Sequence, residues 1–311
     1  MSSRNFGLGS RDMKFAAGLL LSKLDISFSS RSGIGDRWNV FVDWAKPQGV
    51  NKMEKIDRAL VVRYGGYLQT LVAKGDMKPA TAQVYVSAVN TVMDNATGHR
   101  WESVSPTKDC GISKRSHVAT ESKAMPEAKH RAVQAKVDDR VAAMLELQRT
   151  FGLRFKESAL LDAKAALKEA DAKGTVTLTS GTKGGRKRTV PVPRETLAVL
   201  AAAAKFQDGR SMVPKAMTYA EFRKACYNQA YAAGFGFHQE RHHYAQRRYT
   251  ELTGVPSPIQ AGWAGRQRIA GMAAYLGVSK AVATKIDTTA RLTLSKELGH
   301  NRIEVTRVYT G

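Results

Sequence analysis

Apolar residues recurring every three to four positions along most of the chain constrain its fold more than any other feature. Met13, Ala16, Ala17, Leu20 and Leu24 form one such stripe, and Trp38, Phe41, Val42 and Ala45 form a second that stops at Pro47. Leu60, Tyr64, Leu68 and Leu71 make a third, ended by Gly75. A fourth, Ala82, Tyr85, Val86, Val89, Val92 and Met93, lies between Pro79 and Gly98. This spacing places each set on one face of a helix, so residues 1–100 are expected to be a helical bundle. From Trp101 the periodicity lapses into Ser, Thr, Lys and Asp, with Pro106 and Gly111, and residues 101–124 read as a linker. Helical spacing resumes with Val137, Val141, Met144, Leu145 and Leu147, opening a second domain over 125–311. Two β-prone runs break the helical pattern there, Thr175–Thr179 and Thr189–Val192. Gly184 and Gly185 between them mark a hairpin turn. The fold class is therefore mainly α with one small antiparallel sheet.

Charge narrows the partner. The 311 residues carry 49 Lys and Arg against 27 Asp and Glu, a net +22. The basic residues are spread through the periodic segments instead of forming a tail. A folded domain with such a surface is suited to a polyanion, and duplex nucleic acid leads because phosphate neutralisation releases counterions. The hairpin turn concentrates Lys183, Arg186, Lys187 and Arg188, a shape that fits a DNA groove or, on the plainer reading, a solvated loop. Two cysteines, Cys110 and Cys226, offer neither a disulfide framework nor a metal knuckle. No apolar stretch is long enough to cross a bilayer and no signal-peptide core precedes the first helix, so a cytoplasmic location is expected.

The closing stretch supplies the chemistry. His300 is followed nine positions later by Tyr309. Asn301 with Glu304 reads as a helix start, with the residue and its reciprocal carboxylate at capping-box spacing. That puts His300 at the mouth of a short helix and Tyr309 near its end, a terminal tyrosine expected to face outward and not into a deep core. Breaking a phosphodiester without a metal requires planar, permanent cations for the crowded phosphorus, a proton donor for the leaving oxygen and a nucleophile attacking in line. Arg154, Lys183, His238, Arg241, His300 and Tyr309 supply every role. His238 and Arg241, three apart, share one helical face.

The stretches Gly152-Leu-Arg154-Phe-Lys-Glu157-Ser-Ala-Leu160, Thr182-Lys183-Gly-Gly-Arg-Lys-Arg-Thr-Val-Pro-Val192, His238-Gln-Glu-Arg241-His-His-Tyr-Ala245 and Leu298-Gly-His300 with Tyr309 resemble the motifs of the tyrosine recombinase (phage integrase) family, in that family's order. The resemblance implies an N-terminal core-binding (SAM-like) helical bundle and a mostly α catalytic domain closing as a clamp on DNA. It implies that Arg154 and Arg241 hold the scissile phosphate, that Lys183 protonates the departing 5′-hydroxyl, and that His238 assists proton transfer with Tyr309. His300 would bond the phosphate or position the nucleophile, and Tyr309 would form a 3′-phosphotyrosyl link on the way to a Holliday junction. No metal or nucleotide cofactor is implied. The implied partners are double-stranded DNA attachment sites, a homotetramer built from one dimer per site, and an accessory directionality factor.

Alternatives stand beside these roles. Arg154 as a plain ion-pair partner of Glu157, Arg186 or Lys187 as the acid in place of Lys183, and Tyr309 as an inert aromatic are the simpler readings. A metal site built from His238, His242, His243 and His300 is disfavoured because adjacent helical histidines diverge. Tyr249 lacks the Leu-Gly-His context of a nucleophile. At the level of function, the rivals are a DNA-binding architectural protein on the same fold and an enzyme like type IB topoisomerases or telomere resolvases. Two departures from the pattern matter. Arg241 and His300 lie 59 positions apart, longer than the family interval. The extra segment, about 255–290, contains Trp263, Arg266, Arg268 and Lys280; a contact with DNA or a neighbouring protomer is expected of it, with a tolerated insertion as the alternative. The sequence also stops two residues after Tyr309, so coupling between subunits by a long C-terminal segment is not expected. The long insertion and short tail are similar to integrases of integrative and conjugative elements or prophages.

Overall fold

Short polar residues open many of the helices, each accepting from the first free amides. Asp12 accepts from the Lys14 and Phe15 amides, Asp57 from Leu60 and Asp138 from Val141; such a cap contributes about 1 kcal/mol. In the computed structural model, which describes residues 4–115, 118–263, 265, 267–300 and 302–311, the chain divides into two units, Met1–Ser116 and His117–Gly311.

The first unit contains α1 (Met13–Ser22), α2 (Phe28–Ala45), α3 (Arg58–Ala73) and α4 (Pro79–Ala96). All four follow the apolar stripes, with Pro79 at the first turn of α4, where its missing N–H costs nothing. Helix α2 packs on α1 and α4, and α3 on α4. Trp38, Phe41, Tyr64 and Leu68 lie at the centre, with Phe41 and Tyr64 edge to face at 5.0 Å. The Trp38 indole N–H donates to the Met13 carbonyl at 2.9 Å, which satisfies the one polar atom that ring brings inside. The expected linker is corrected here. Val104, Cys110 and Ile112 are buried in this same core, and Asn90 Nδ2 donates to the Val104 carbonyl at 2.8 Å. The stretch is irregular, so it shows no period, yet its side chains complete the first unit.

The second unit runs α5 (Glu127–Gln134), α6 (Asp139–Phe151), α7 (Phe155–Ala159), α8 (Ala163–Lys173), strands β1 (Thr175–Leu178) and β2 (Arg188–Pro191), α9 (Leu197–Phe206), α10 (Tyr219–Ala232), α11 (His238–Thr253), α12 (Pro258–Ala261), α13 (Gln267–Leu276), α14 (Lys280–Glu297) and α15 (Arg307–Thr310). The strands pair antiparallel with Val176 opposite Val190 and Leu178 opposite Arg188. An isolated two-stranded hairpin is marginal in water. This one is held because Val176, Leu178, Val190 and Val192 enter a core shared with Met144, Leu147, Phe151 and Leu200. A separate core joins α11 to the 255–290 segment through Tyr244, Tyr249, Val255, Met272, Ala283, Ala290 and Leu294.

That second core is where the extra segment packs. Trp263 is half-buried and packs so closely on Gly271 that a Cβ there would lie 2.5 Å from the indole. Arg268 faces inward onto Asp287 at 3.0 Å. Lys280 is exposed, and Arg266 lies outside the described residues. Among the described residues, no helix is long and apolar enough to cross a membrane.

Candidate active site

Helix α11 begins at His238 and carries Arg241 one turn later, so both project toward α15. Arg241 has 0% of its surface exposed, an expensive position for a cation unless every N–H finds an acceptor. Its Nη1 donates to the Gly152 carbonyl and its Nη2 to the Leu298 carbonyl. Its Nε donates to the Tyr309 hydroxyl at 3.4 Å, and Nη2 lies 3.4 Å from His300 Nε2. Burial first, then the charges of Arg154 and Arg188, push its pKa down to about 10, so it stays protonated at neutral pH.

Arg154 converges on the same place from α7. Its Nη2 donates to the Leu298 carbonyl at 3.1 Å, and its Nη1 to Glu157 Oε1 at 2.6 Å. Glu157 is 1% exposed and is the anion beneath the cluster. It accepts from Arg188 Nη2 at 2.7 Å and from the Arg154 amide at 2.7 Å, and Arg241 Nη1 stands 3.9 Å away. Burial alone would raise the Glu157 pKa; Arg188, Arg241 and the Arg154 amide overcome it and hold the carboxylate at about 2. The simpler reading of Arg154, an ion pair with Glu157, describes a real contact, but one that aims the guanidinium at the Leu298 carbonyl instead of leaving it free.

Two glycines make this approach possible. Gly152 ends α6 at φ +63°, and a Cβ there would lie 2.4 Å from the Tyr244 ring. Gly299 turns at φ +65°, where a Cβ would meet Arg188 Cδ at 2.7 Å. Both turns therefore come close enough for the Gly152 and Leu298 carbonyls to reach the guanidinium groups.

Tyr309 sits at the centre. The expectation that it faces outward fails, because it is 4% exposed and belongs to the α11 and 255–290 core. Its ring lies 4.8 Å from that of His242, while its hydroxyl stays among polar atoms. His238 Nε2 is 3.4 Å from the hydroxyl and His300 Nε2 is 3.5 Å away. Backbone bonds between short terminal elements replace the helix expected after Asn301, which lies outside the described residues: a 3-10 turn over Ile303–Thr306 leads directly into α15.

Both histidines are surrounded by cations. Desolvation of its inner edge, then Arg241 and Arg154, push His238 down to about 4 although its outer edge is exposed to solvent. His300 is pushed to about 3 by burial, Arg241, Arg154 and Lys183. Each is neutral at pH 7, with a lone pair available to receive a proton. Buried His242, packed against both Tyr309 and His238, is likewise lowered to about 4.

The turn residues separate into two groups. Lys183, Arg186 and Lys187 are exposed; Lys183 is near enough to act on His300 through its charge, with no hydrogen bond to the cluster described. Arg188 is corrected: it opens β2, is 6% exposed, and its guanidinium is committed to Glu157 and to the Gly152 and Glu297 carbonyls. It lines the interior of the site and is not free for a DNA groove. Sequence reasoning missed Glu240, fully buried on α11, which accepts from His130 Nδ1 at 2.7 Å and Arg149 Nη1 at 2.7 Å. Its neighbours Gln239, Arg241, His242 and His243 are polar as well, so the local sequence carried no sign of its burial. Among the described residues, no group of three or more His, Cys, Asp or Glu is arranged to hold a metal ion.

Comparison with known proteins bears on the fold and on the central motifs. No curated protein sequence matches the chain significantly. The integrase family model matches residues 111–247, a span that includes Arg154, Lys183, His238 and Arg241 and stops before His300 and Tyr309. Among solved structures, a lambda integrase dimer bound to a COC′ core site aligns with TM-score 0.53 at 12% identity, covering 88% of this chain and 75% of that one. The XerH site-specific recombinase in a post-cleavage complex with a palindromic difH substrate aligns with TM-score 0.53 at 15% identity, covering 89% and 74%. A lambda integrase tetramer bound to a Holliday junction gives 0.50 at 13% identity, over 88% and 76%. At these identities the likeness is one of fold, and the integrase family model matches the part of the chain that carries both arginine-bearing motifs.

Proposed function

We propose that this protein is a site-specific DNA recombinase that cuts and rejoins strands through a 3′-phosphotyrosyl intermediate. The observation that carries the proposal is the Tyr309 hydroxyl, held inside the protein within 3.4 Å of Arg241 Nε and His238 Nε2 and within 3.5 Å of His300 Nε2. A phenol filling a core for packing alone would not be surrounded by a guanidinium and two uncharged imidazoles.

The chemistry follows from the charges. A scissile phosphate drawn to Arg154 and Arg241 shares their N–H groups with the Leu298 carbonyl, and the guanidiniums neutralise the extra negative charge of the pentavalent state. His238 receives the phenolic proton as the Tyr309 oxygen bonds to phosphorus. The bond to the 5′-oxygen breaks, and Lys183, brought in on its exposed turn, donates the proton to it. His300 hydrogen-bonds the phosphate or aligns the phenol. The ester conserves the energy of the broken bond, so a 5′-hydroxyl from a partner strand reverses the step, and a second round resolves a Holliday junction. Neither metal nor nucleotide is required. Double-stranded attachment sites are the substrates, a dimer occupies each site and a homotetramer forms the synapse, with an accessory factor setting direction.

A duplex nicked next to the crossover tests this by preventing religation. Wild-type protein is expected to leave a covalent adduct that survives SDS, and Tyr309→Phe to lose it while still shifting the DNA on a gel. An adduct of undiminished yield in that variant would overturn the nucleophile assignment.

A further inference from the structure

The 255–290 segment touches the nucleophile's helix more intimately than a surface insertion need do. The Tyr309 ring packs in the core that Val255, Met272, Ala283 and Ala290 build with α11, and the Gly311 backbone lies against Ile259. A buried polar chain runs alongside. Arg268, on α13, reaches Asp287 Oδ2 at 3.0 Å. Asp287 is 1% exposed and also takes the Tyr249 hydroxyl at 2.7 Å and Arg291 Nη1 at 3.5 Å. Arg291 then donates through Nε to Thr306 Oγ1 at 2.9 Å and through Nη2 to the Ile303 carbonyl at 2.9 Å. Both acceptors lie in the 3-10 turn that feeds α15, and the Thr306 carbonyl in turn accepts from Thr310 Oγ1. From the other side, Gln246 Nε2 holds the Tyr309 carbonyl at 3.1 Å.

We propose that this segment is an internal dock: Arg268, Asp287 and Arg291 fix the Ile303–Thr306 turn and so present Tyr309 to the arginines of its own chain. The four residues of α15 make too few internal hydrogen bonds to hold their own place, so its position must come from what it is tied to. Arg291 and Asp287 are positioning residues here; neither touches the reacting atoms. The inference rests on Tyr309 being the nucleophile, and it gives the long interval between Arg241 and His300 a purpose.

Thr306→Val keeps the side-chain shape and removes the acceptor for Arg291, and Thr306→Ser restores it. At saturating nicked duplex, Thr306→Val is expected to form the covalent adduct roughly ten- to a hundredfold more slowly, the cost of a misplaced reacting group. Half-saturating DNA concentration should change less than about twofold, as for a group acting on the chemical step alone. Thr306→Ser should recover the rate, and amide exchange across 303–311 should rise in the valine variant alone. Arg268→Gln, at the half-buried outer end of the chain, should slow the adduct in the same way by a smaller factor, and it decides the matter should Thr306→Val fold poorly. Full-rate adduct formation with unaltered protection of 303–311 in these variants overturns the dock. Should the wild-type protein form no adduct at all, the nucleophile reading fails separately. The exchange data then still decide: protection lost in Thr306→Val sustains the dock, and protection retained overturns it.

Discussion

The two units fill their interiors with opposite materials. In the first, the core is Trp38, Phe41, Val42, Tyr64 and Leu68, and the buried polar side chains among the described residues are Asn5 and Gln83. In the second, Glu157, Arg188, Glu240, Arg241, Asp287 and Arg291 are all buried. Apolar burial contributes about 25 cal/mol per Å² without regard to partner geometry. A buried charge is tolerable only when each of its hydrogen-bonding groups is met, and then it adds little net stability. The second unit has accepted that cost where the proposed chemistry lies.

The largest expected effect sharpens this difference. Glu157→Gln leaves Arg154, Arg188 and Arg241 without their shared anion and should destabilise the second unit by about 3–5 kcal/mol. Trp38→Ala should cost the first unit a similar ~3–5 kcal/mol through the cavity it opens. Urea denaturation with and without sulfate separates them: the anion should relieve the loss in Glu157→Gln, by occupying the arginines, and leave Trp38→Ala unaffected. Equal responses to sulfate would remove the distinction.

Acidity comes next. His242 is lowered to about 4 and His300 to about 3, against about 6.5 when unfolded. Below that value the unfolded chain binds protons the native one refuses, so this stability is complete above pH 6.5 and is lost as pH falls toward 4. His130 behaves in reverse. Burial would lower it, but Glu146 and Glu240 push it up to about 9, so its contribution is complete below pH 6.5 and disappears as pH rises through 9. The second unit should therefore melt highest near pH 6 to 7, and the first should vary little. His130→Asn should flatten the alkaline limb; an unchanged limb would assign it to other groups.

Smaller effects test the edges of the comparison. Asn5, which bridges the Met53 amide at 2.8 Å and the Ser10 carbonyl at 2.9 Å, is the first unit's own buried polar device. Asn5→Ala should cost about 1–3 kcal/mol by stranding that amide, a value read from thermal melts. Least of all in stability are the exposed turn cations. Arg186→Ala and Lys187→Ala should each change stability by no more than about 0.5 kcal/mol while reducing the salt slope of DNA binding by about one. Arg188→Ala, one residue further, should instead destabilise strongly with the site.

Much of the fold was readable because its local rules agree. The four stripes of the first unit and the β1–β2 hairpin appear where period and turn residues put them. Residues 101–112 escaped because irregular chain has no period even when its side chains are buried. Arg188 was misread because a run of four cations looks uniform in sequence. A strand alternates sides, which turns Arg188 inward while Thr189 stays exposed.

What the sequence determined by itself is the inventory: helical stripes, one hairpin, a strongly basic surface, and six polar residues in an order that resembles a recombinase. Those follow from local periodicity and residue chemistry, which do not depend on distant neighbours. Only the tertiary structure decided that Tyr309 is buried and not displayed, that Glu157 binds three arginines, and that the 255–290 segment packs around the terminal turn. Such facts join residues far apart in the chain, and the charge state of each depends on how many partners packing brings within reach after water has been excluded.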